Sequence, residues 1–394
     1  MKQTPEKKKA TAADIITAAG LLITIYGLSI GTLLIPDKDF SEDENRYLQK
    51  KPEFSLEALI DGKFTAEISD YFADQLPLRD GFVGAKAVAE ISLAKQENDD
   101  VLLGKDGHII AKNDYADTSR IDANLDALKT FAKTTGTDLR VAIAGRSQDV
   151  LTSYAPALYP AEELSDKVFA YVNASLSELD TIELLAPLRA RADAGEYVYY
   201  RTDHHWTTLG AYYAYAEIMN AYGIEPYPLD HFTVETASDA FYGTTWSKAG
   251  MKWIAPDTME FFRYPGDETL VTEITDRDKT LEGMYDRSYL EVKDKYSAFI
   301  GGNNARVRIY PASGSPLADP SRETMVLIKD SFGHSLAPFL AAHFDLEIID
   351  LRYYRLSVPA LLDEVDADRI LVVYNLDSLA NGSSLAMLTI GGVG

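Results

Sequence analysis

No cysteine occurs among the 394 residues of this sequence, and that absence excludes several kinds of site. A chain without thiols forms no disulfides and has neither a thiolate zinc site nor a cysteine nucleophile. Basic residues are also few, because 38 lysines and arginines stand against 61 aspartates and glutamates, which gives a formal net charge of −23. Such a negative surface repels phosphate backbones, so we expect no nucleic-acid partner.

Charged side chains are missing altogether from residues 15–35, a run of 21 residues near the N-terminus. As a helix this run covers about 30 Å, roughly the thickness of a hydrocarbon core. Residues 1–14 are rich in lysine and the residues after the run are mostly acidic, so the positive-inside rule keeps the basic tail in the cytoplasm. We predict a single-pass protein of the cell membrane, with 15–35 as its transmembrane signal anchor and its catalytic domain extracellular. A cleaved signal peptide is the alternative, but its apolar region is usually only about 7 to 15 residues long.

After the anchor, the hydrophobic pattern divides the chain into two parts. Residues 36–100 show helical spacing interrupted by proline, which predicts a helical stalk or collar. Residues 101–394 show short apolar runs that alternate with helical stretches, which predicts an α/β domain with a mostly parallel sheet. Within this domain, the aromatic segment from about 224 to 300 looks irregular, and we expect an insertion that forms a pocket wall. Sites in such sheets lie at the carboxyl ends of the strands.

Two of the six histidines are adjacent, at positions 204 and 205, directly after an aspartate. If this stretch is extended, Asp203 and His205 share one face and His204 points to the other. A carboxylate beside an imidazole fixes its tautomer and stabilises the imidazolium that forms when the ring takes a proton. The pattern therefore predicts His205 as a general base and Asp203 as the residue that orients it.

A second cluster surrounds Ser331, in the sequence Lys329-Asp-Ser-Phe-Gly-His. An apolar strand meets the start of a helix here, so Ser331 falls on a strand-to-helix turn. The turn presents the hydroxyl outward, and the backbone N–H near a helix N-terminus can donate a hydrogen bond to an oxyanion. Taken separately, each cluster has an ordinary structural explanation, a hydrogen-bonded pair or a helix cap. Together they supply a nucleophile, a base and an orienting carboxylate for acyl transfer.

The four residues 203–206, Asp-His-His-Trp, are the signature after which the bacterial DHHW family is named, and the sequence resembles that family from the anchor nearly to the C-terminus. Five further stretches look like other blocks of the family in the right order: Phe40-Ser-Glu-Asp-Glu-Asn-Arg-Tyr-Leu, Asp74-Gln-Leu-Pro-Leu-Arg-Asp, Gly301-Gly-Asn-Asn, Lys329-Asp-Ser-Phe and Asp350-Leu-Arg-Tyr-Tyr. The DHHW family is similar to the periplasmic alginate O-acetyltransferases, which have an SGNH-hydrolase-like fold. The resemblance implies a three-layer sandwich with a mostly parallel sheet, preceded by a transmembrane helix and a helical stalk.

The resemblance also implies roles for individual residues. Asp203, His205 and Ser331 match the orienting residue, the base and the nucleophile, with the Asp-x-His pair before the serine as in those relatives. Gly302 and Asn303 are candidates for binding the oxyanion or the substrate, by analogy with the glycine and asparagine donors of SGNH hydrolases; a turn is the simpler explanation.

Three more positions near these motifs need an interpretation. Arg146 follows an apolar strand and is a candidate for binding substrate, with an ordinary surface arginine as the alternative. Trp206 completes the signature and is a further candidate for binding substrate. Lys329 stands where a Gly-Asp-Ser motif has glycine, so the oxyanion donors beyond the Ser331 amide are not defined by the motif.

We therefore expect a serine-dependent O-acetyltransferase or acetylesterase that moves acetyl groups on or off a cell-surface or exported polysaccharide. The resemblance alone implies a membrane-bound O-acyltransferase as acetyl donor. Two other functions stay open: a non-catalytic glycan-binding or scaffold protein, and a metal-dependent hydrolase that uses ligands such as Asp203, His204, His205 and His334. Adjacent histidines on a strand face opposite ways, and no H-x-x-x-H or H-x-H spacing is present, so we do not expect a metal site. We expect no other cofactor either.

Overall fold

The computed structural model describes residues 10–113, 115 and 119–390, and these fall into two compact units. The first unit ends at Leu93 and the second begins at Ala94. Most of the predicted basic tail lies outside the described residues, so its cytoplasmic placement stays a prediction.

A long apolar helix opens the first unit. Helix α1 spans Ala12–Leu34 and begins with a capping box formed by Thr11 and Asp14. By length and composition it is able to cross a membrane, and almost all of its side chains are exposed. A helix that is apolar on all sides needs an apolar environment such as lipid. Helix α1 is therefore a candidate membrane anchor.

Short elements follow α1 and form what we call the collar, residues 36–93. Its elements are strands β1 (Phe40–Ser41) and β2 (Arg46–Tyr47) and helices α2 (Leu56–Ile60), α3 (Lys63–Asp74) and α4 (Arg79–Ser92). Two of the sequence blocks quoted above bind each other here. Arg46 donates to both carboxylate oxygens of Asp74, with Nη1 at 2.8 Å from Oδ2, and Arg79 pairs with Glu44. The collar is thus helical and tied together by ion pairs.

A large mixed sheet forms the centre of the second unit. The strands of this unit are β3 (Glu97–Asn98), β4 (Val101–Leu103), β5 (Ile109–Ala111), β6 (Asp138–Ala144), β7 (Asp180–Ile182), β8 (Thr233–Phe241), β9 (Asp257–Arg263), β10 (Leu270–Ile274), β11 (Lys279–Glu282), β12 (Arg306–Pro311), β13 (Thr324–Lys329), β14 (Asp345–Ile349) and β15 (Arg369–Asn375). Eight of them form the sheet, in the order β11-β10-β12-β14-β13-β15-β6-β7. The five strands from β14 to β7 are parallel, whereas β12, β10 and β11 add to one edge in antiparallel fashion. The α/β class is confirmed, with a parallel part of five strands.

Strand β13 is central because its residues are suited to burial on both faces. Every residue from Met325 to Ile328 is apolar and fully buried, and the strand pairs with β14 on one side and β15 on the other. Such a strand reads in the sequence as a continuous apolar run. Because β13 ends at Lys329, Ser331 lies at the carboxyl edge of the sheet.

Helices connect these strands and pack around the sheet. They are α5 (Ser119–Thr134), α6 (Ser147–Val150), α7 (Ala161–Ser175), α8 (Leu185–Asp193), α9 (Thr208–Ala221), α10 (Thr244–Ala249), α11 (Gly333–Leu340), α12 (Val358–Val365) and α13 (Leu376–Asn381). Helix α9 follows the histidine loop and α11 follows Ser331. The two pack together, with Tyr215 stacked on Phe339 at 5.5 Å between ring centroids. This contact helps to hold the two motifs near each other.

Residues 224–300 are more regular than predicted. They contain the β8–β9 hairpin, helix α10, and strands β10 and β11 of the main sheet. The aromatic residues of the segment pack on each other, as where Phe261 stacks on Tyr285 at 4.0 Å and meets Phe299 edge-on at 5.3 Å. Some of these aromatic residues form a small hydrophobic core with Tyr200, and others, such as Phe262, belong to the main core. The prediction of an irregular segment is wrong, because the segment forms paired strands and a helix.

Candidate active site

Ser331 lies on the short turn between β13 and α11, and its neighbour Asp330 fixes that turn. Asp330 Oδ2 accepts hydrogen bonds from the backbone N–H and the side-chain amide of Asn375, at 2.7 and 2.6 Å. Its Oδ1 accepts another from the Phe332 N–H at 2.9 Å. Because Asn375 ends the neighbouring strand, a fully buried carboxylate ties the serine turn to the sheet. Ser331 itself is only partly buried.

The histidine comes from a tight loop and not from an extended strand. Tyr199 pairs with Trp206 as an isolated bridge, and the Tyr200 N–H donates to the His205 carbonyl at 3.3 Å. Within this loop the Asp203 side chain bends back and accepts the backbone N–H of His205 at 3.0 Å, as in an Asx turn. The predicted extended conformation is therefore wrong, and Asp203 meets His205 through the turn.

The imidazole of His205 joins Asp203 to Ser331. Its Nδ1 lies 2.5 Å from Asp203 Oδ1, and its Nε2 lies 2.7 Å from Ser331 Oγ. An ionised carboxylate only accepts hydrogen bonds, so Nδ1 donates to Asp203 and Nε2 is left to accept the Ser331 hydroxyl proton. The structure thus brings together the three residues singled out in the sequence. Hydroxyl, imidazole and carboxylate stand in the order that acyl transfer by serine requires, so the three residues are candidates for nucleophile, base and orienting carboxylate.

A second loop holds the other oxygen of Asp203. Thr244 donates to Oδ2 from its N–H at 2.7 Å and from its hydroxyl at 3.0 Å. Burial opposes ionisation of Asp203, but the imidazoles of His204 and His205 and the hydrogen bonds from His205 outweigh it and hold the pKa of Asp203 well below its usual value. Asp203 is therefore a carboxylate at neutral pH.

His204 points into the site instead of away from it. Its ring packs on that of His205, with centroids 3.8 Å apart, and its Nδ1 lies 2.8 Å from Thr244 Oγ1. Burial and the adjacent His205 both lower the pKa of His204 well below its usual value. The prediction that His204 faces away is wrong, because the loop bends where an extended strand was expected.

Asp257 supports the loop from a neighbouring strand. It is fully buried on β9 and accepts hydrogen bonds from the Thr202 hydroxyl at 2.5 Å, the Thr202 N–H at 2.9 Å and the Arg201 Nε at 3.1 Å. The Tyr197 hydroxyl also donates to it. These bonds fix the two residues that precede Asp203. Sequence reasoning missed Asp257 and Thr244, because each lies at least 41 positions from its partner and no local pattern marks the contact.

Trp206 and Tyr296 lie behind the histidine in the core. Trp206 is fully buried, its Nε1 donates to Ser335 Oγ at 2.9 Å, and its ring meets Phe332 edge-on. Tyr296 stacks on His205, with centroids 4.2 Å apart and planes 16° apart, and its hydroxyl lies 2.9 Å from the same Ser335 oxygen. The prediction that Trp206 binds substrate is contradicted by its burial. Its contacts are those of a residue that packs beneath the loop.

Two backbone amides differ in their availability to an oxyanion. The Ser331 N–H has no hydrogen-bond partner among the described residues, so it remains a candidate donor. The Gly302 N–H donates to the Phe299 carbonyl at 3.1 Å, in a turn where Gly302 has a φ of +79°. Gly302 therefore has the alternative role foreseen for it, a turn that needs glycine, and is not a free oxyanion donor.

Asn303 keeps a free donor group. Its Oδ1 accepts a hydrogen bond from Arg352 Nη2 at 2.9 Å, which orients the amide. Its NH2 group has no partner within the described part of the chain and is available to a ligand. Of the two glycine-loop candidates, Asn303 is the one whose contacts leave it able to donate.

Arg146 follows β6 at the carboxyl edge of the sheet. Its guanidinium Nη1 pairs with Asp377 Oδ2 at 3.1 Å, and its backbone N–H donates to Asp149 at 2.9 Å. The next residue, Ser147, donates its N–H to the His204 carbonyl at 3.1 Å. Arg146 thus stands beside the histidine loop, and its contact with substrate stays a prediction.

Comparison with known proteins identifies a family whose model matches part of this chain. The model of a family described as DHHW protein matches residues 167–349, which include the loop of Asp203 and His205 and the turn of Ser331. The predicted resemblance to the DHHW family is confirmed.

Curated relatives of the chain share part of its sequence. A probable alginate O-acetylase AlgJ of Pseudomonas syringae pv. tomato is 26% identical over 166 residues, 39% of this chain and 41% of that protein. The corresponding protein of Pseudomonas putida is 24% identical over 195 residues, 47% of this chain and 49% of that protein. The chain therefore spans about half or less of the length of the curated relatives that it matches.

Solved structures resemble much of the chain in fold. A DHHW family protein from Eubacterium siraeum has a TM-score of 0.60 at 22% identity, over 74% of this chain and 95% of that one. Bacillus cereus PatB1, solved with a sulfonyl adduct, has a TM-score of 0.56 at 18% identity, over 73% of this chain and 96% of that one. At these identities the likeness shows a shared fold.

Lys329 departs from a Gly-Asp-Ser motif but does not disturb the serine turn. Its side chain is fully buried and its Nζ lies 3.3 Å from Asp350 Oδ2, at the end of β14, where Arg352 also pairs with Asp350 at 2.6 Å. Burial lowers the pKa of Lys329, and the Asp350 carboxylate opposes that shift. Gly333 leaves room for the lysine, because a Cβ there would lie 2.6 Å from it. The Lys329 ammonium is thus paired with Asp350, which directly follows the neighbouring strand β14.

Asp203, His204 and His205 also form a group of possible metal ligands among the described residues, with ligand atoms within 4.8 Å of one another. The argument that adjacent histidines face opposite ways does not hold here, because the two rings pack together. A metal ion would nevertheless have to replace the 2.5 Å hydrogen bond between Asp203 and His205. His334, the fourth candidate, lies outside this group and is buried with both ring nitrogens unpartnered in the described part of the chain.

Proposed function

We propose that the chain is an extracytoplasmic enzyme that transfers acetyl groups on or off a polysaccharide through Ser331. One observation supports this most directly: His205 lies within hydrogen-bond distance of both Ser331 and the buried Asp203 carboxylate. The relatives named as alginate O-acetylases support acyl transfer as the reaction class and a polysaccharide as the substrate class.

In the first step, Ser331 Oγ attacks the carbonyl carbon of an acetyl donor. His205 Nε2 takes the hydroxyl proton as the new C–O bond forms, and Asp203 stabilises the imidazolium. The carbonyl oxygen becomes an oxyanion, to which the Ser331 N–H and the Asn303 side-chain amide are candidate donors. When the donor's C–O bond breaks, His205 returns its proton to the leaving oxygen and an acetyl-serine remains.

The second step reverses the first with a different hydroxyl. A sugar hydroxyl, or water in an esterase, loses its proton to His205 as its oxygen attacks the acetyl-serine carbonyl. When the ester bond to Ser331 breaks, the same proton returns to Ser331 Oγ, and the product is an acetylated sugar or free acetate. The site thus works as a transferase or as an esterase according to which acceptor it admits.

We further propose that α1 anchors the chain and that the second unit lies outside the cell, in an SGNH-hydrolase-like sandwich. An anchored enzyme stays near a membrane-bound O-acyltransferase, which we propose as the source of the acetyl group. The apolar length of α1 and the acidic residues that follow it support this placement.

Substitution of Ser331 tests the reaction. We expect Ser331→Ala in the detergent-solubilised chain to lose turnover of a chromogenic acetyl ester, and Ser153→Ala, an exposed serine, to keep the parent rate. Intact-mass spectrometry after incubation with an activated acetyl donor should show one added acetyl group in the parent and none in Ser331→Ala. Parent-like turnover in Ser331→Ala would exclude this role, and glycan binding without turnover in the parent would favour the scaffold function.

A metal-dependent hydrolase is a second candidate because of the group formed by Asp203, His204 and His205. It predicts stoichiometric metal in the purified protein, a loss of that metal in His205→Ala, and inhibition by chelators. Elemental analysis of the parent and the variant decides between the two candidates. Serine acetylation that persists in chelator would reject the metal candidate.

A further inference from the structure

We propose that the collar docks on the outer leaflet of the membrane, by inserting Leu78 and the apolar residues around it between phospholipids. This inference rests on the proposed anchoring by α1. The docking is a claim beyond the anchoring itself, because a transmembrane helix alone would also permit a collar that lies entirely in water.

A contact within the first unit fixes the position of the loop around Pro77 along the axis of α1, and therefore its depth relative to the membrane. A Cβ at Gly31 would lie 2.9 Å from Pro77 Cγ, and Thr32 is only 1% exposed, so the loop packs against the last turn of α1. Gly31 lies about 5 Å before the end of the helix, at 1.5 Å per residue. The uncharged stretch continues beyond this point to Ile35. A membrane that covers the whole stretch therefore also reaches the level of Pro77.

Leu78 follows at that level and is held outward. It is 81% exposed and has a φ of +62°, in the left-handed region that leucine rarely adopts. Such a conformation persists only where its surroundings enforce it. On one side, Gln75 exchanges hydrogen bonds with the backbone of Lys38 at 2.9 and 3.0 Å; on the other, Arg79 pairs with Glu44. The loop is thus fixed at both ends with a leucine at its tip.

Other exposed apolar residues lie close to Leu78. The Phe82 N–H donates to the Leu78 carbonyl at 3.2 Å, which brings the two residues close through the backbone, and Phe82 is 48% exposed. Ile35, which ends the uncharged stretch, is 53% exposed. Exposed apolar residues grouped in this way mark a surface that has an apolar partner.

Lipid suits this surface better than a protein partner. The level of the surface is fixed by α1 itself, so contact with acyl chains follows from insertion of the anchor and needs no further molecule. A cavity of about 710 Å³ beside the loop is lined by Ile35, Leu76 and Leu78 together with charged residues of both signs, including Lys38 and Asp80. Apolar walls next to mixed charges match the boundary between acyl chains and zwitterionic headgroups.

The absence of cysteine makes a direct test possible in the full-length chain. Three variants each carry a single cysteine for labelling with bimane: Leu78→Cys, Leu22→Cys and Leu158→Cys. Each labelled protein is reconstituted in phosphatidylcholine nanodiscs with or without doxyl-labelled lipid. Leu22 lies in α1 and reports on the anchor. Leu158, which is 94% exposed in the second unit, controls for partitioning of the label itself. We expect doxyl lipid to quench most of the fluorescence at positions 22 and 78 and little at 158.

The outcomes separate the docking from the anchor. Quenching at 22 without quenching at 78 would overturn the docking and leave the anchor standing, whereas no quenching at either position would overturn the anchor. Equal quenching at 78 and 158 would attribute the signal to the dye and also reject the docking. Quenching at 78 that appears only when other membrane proteins are added would also reject docking on lipid, because the partner would then be a protein.

A second variant tests the role of the leucine itself. In Leu78→Asn the backbone conformation is retained, because asparagine tolerates the left-handed region, but the apolar tip is lost. With bimane on Phe82→Cys as reporter, we expect Leu78→Asn to reduce quenching by doxyl lipid at position 82. Unchanged quenching at 82 would reject Leu78 as the inserted residue.

Discussion

Gly243 and Asp203 approach so closely that a methyl group at position 243 has no room. A Cβ built there would lie 2.2 Å from both Cβ and Oδ2 of Asp203. The φ of Gly243 is −84°, which any residue adopts, so the constraint is steric contact and not backbone conformation. Glycine at this position lets the α10 loop reach the Asp203 carboxylate and bind it through Thr244.

Gly243→Ala should therefore displace Asp203 and lower turnover of an acetyl ester. A misplacement of about 1 Å costs about 10²-fold in rate, so we expect kcat to fall by that order. Gly136→Ala is the matched control, because its Cβ would meet nothing within 4 Å. Steady-state kinetics of both variants, with far-ultraviolet circular dichroism to check folding, measure the effect. Equal kcat in the two variants would count against the role of Asp203.

Asp257→Asn tests the support beneath the histidine loop. The amide keeps the size of the side chain but presents a donor to groups that already donate, namely the Thr202 hydroxyl and N–H. We expect kcat to fall about tenfold or more with KM nearly unchanged, and the free energy of unfolding to fall by about 1 to 3 kcal/mol. Asp239→Asn, on an exposed part of β8, controls for the loss of charge. A change in KM alone would contradict a role in positioning the loop.

Local sequence patterns predicted the parts of the fold that depend on near neighbours. The apolar run of β13 and the glycine-containing turn after it place Ser331 correctly, because both are properties of adjacent residues. The pairing of His205 with Ser331 spans 126 positions and was inferred from complementary chemistry and family resemblance, not from a local pattern. Geometry within the loop was not predictable, since the bend depends on Asp257 and Thr244, which approach from distant segments.

The direction of His204 and the burial of Trp206 show the same limit. Strand alternation placed His204 on the opposite face from His205, but the Asx turn at Asp203 brings both rings to one side. Trp206 follows the histidines and looked like a pocket residue, yet the core closes over it through Ser335 and Phe332. Both errors arise because tertiary contacts decide the conformation of a short loop.

Trp206→Phe tests whether this tryptophan contacts substrate. Phenylalanine keeps an aromatic ring in the core but loses the N–H that donates to Ser335 at 2.9 Å. We expect the free energy of unfolding to fall by about 1 to 3 kcal/mol, through the lost hydrogen bond and the smaller ring, with KM for an acetylated glycan unchanged. Chemical denaturation and steady-state kinetics of the parent and the variant check the two expectations. A large rise in KM at unchanged stability would restore the substrate-binding interpretation.

The stability of the second unit should fall in acid, and His343 is one cause. Burial lowers the pKa of His343 to about 4 from an ordinary value of 6.5, and its Nε2 lies 2.7 Å from the Tyr215 hydroxyl. Between these two values the unfolded chain takes up a proton that the folded chain does not. The contribution of neutral His343 to the free energy of unfolding is therefore complete above pH 6.5 and is lost as the pH falls towards 4. Because the side chain is partly exposed, we expect a loss of about 2 kcal/mol or less.

His343→Gln removes this titration while keeping a side chain that can bond to Tyr215. His204 and His334, whose pKa values burial also lowers, add to the acid sensitivity of the parent, so the difference between parent and variant isolates His343. Urea unfolding of both proteins at neutral pH and near pH 4 measures it. We expect the variant to lose less stability than the parent between the two conditions. Parallel losses would mean that His343 titrates in the folded protein as it does in the unfolded chain.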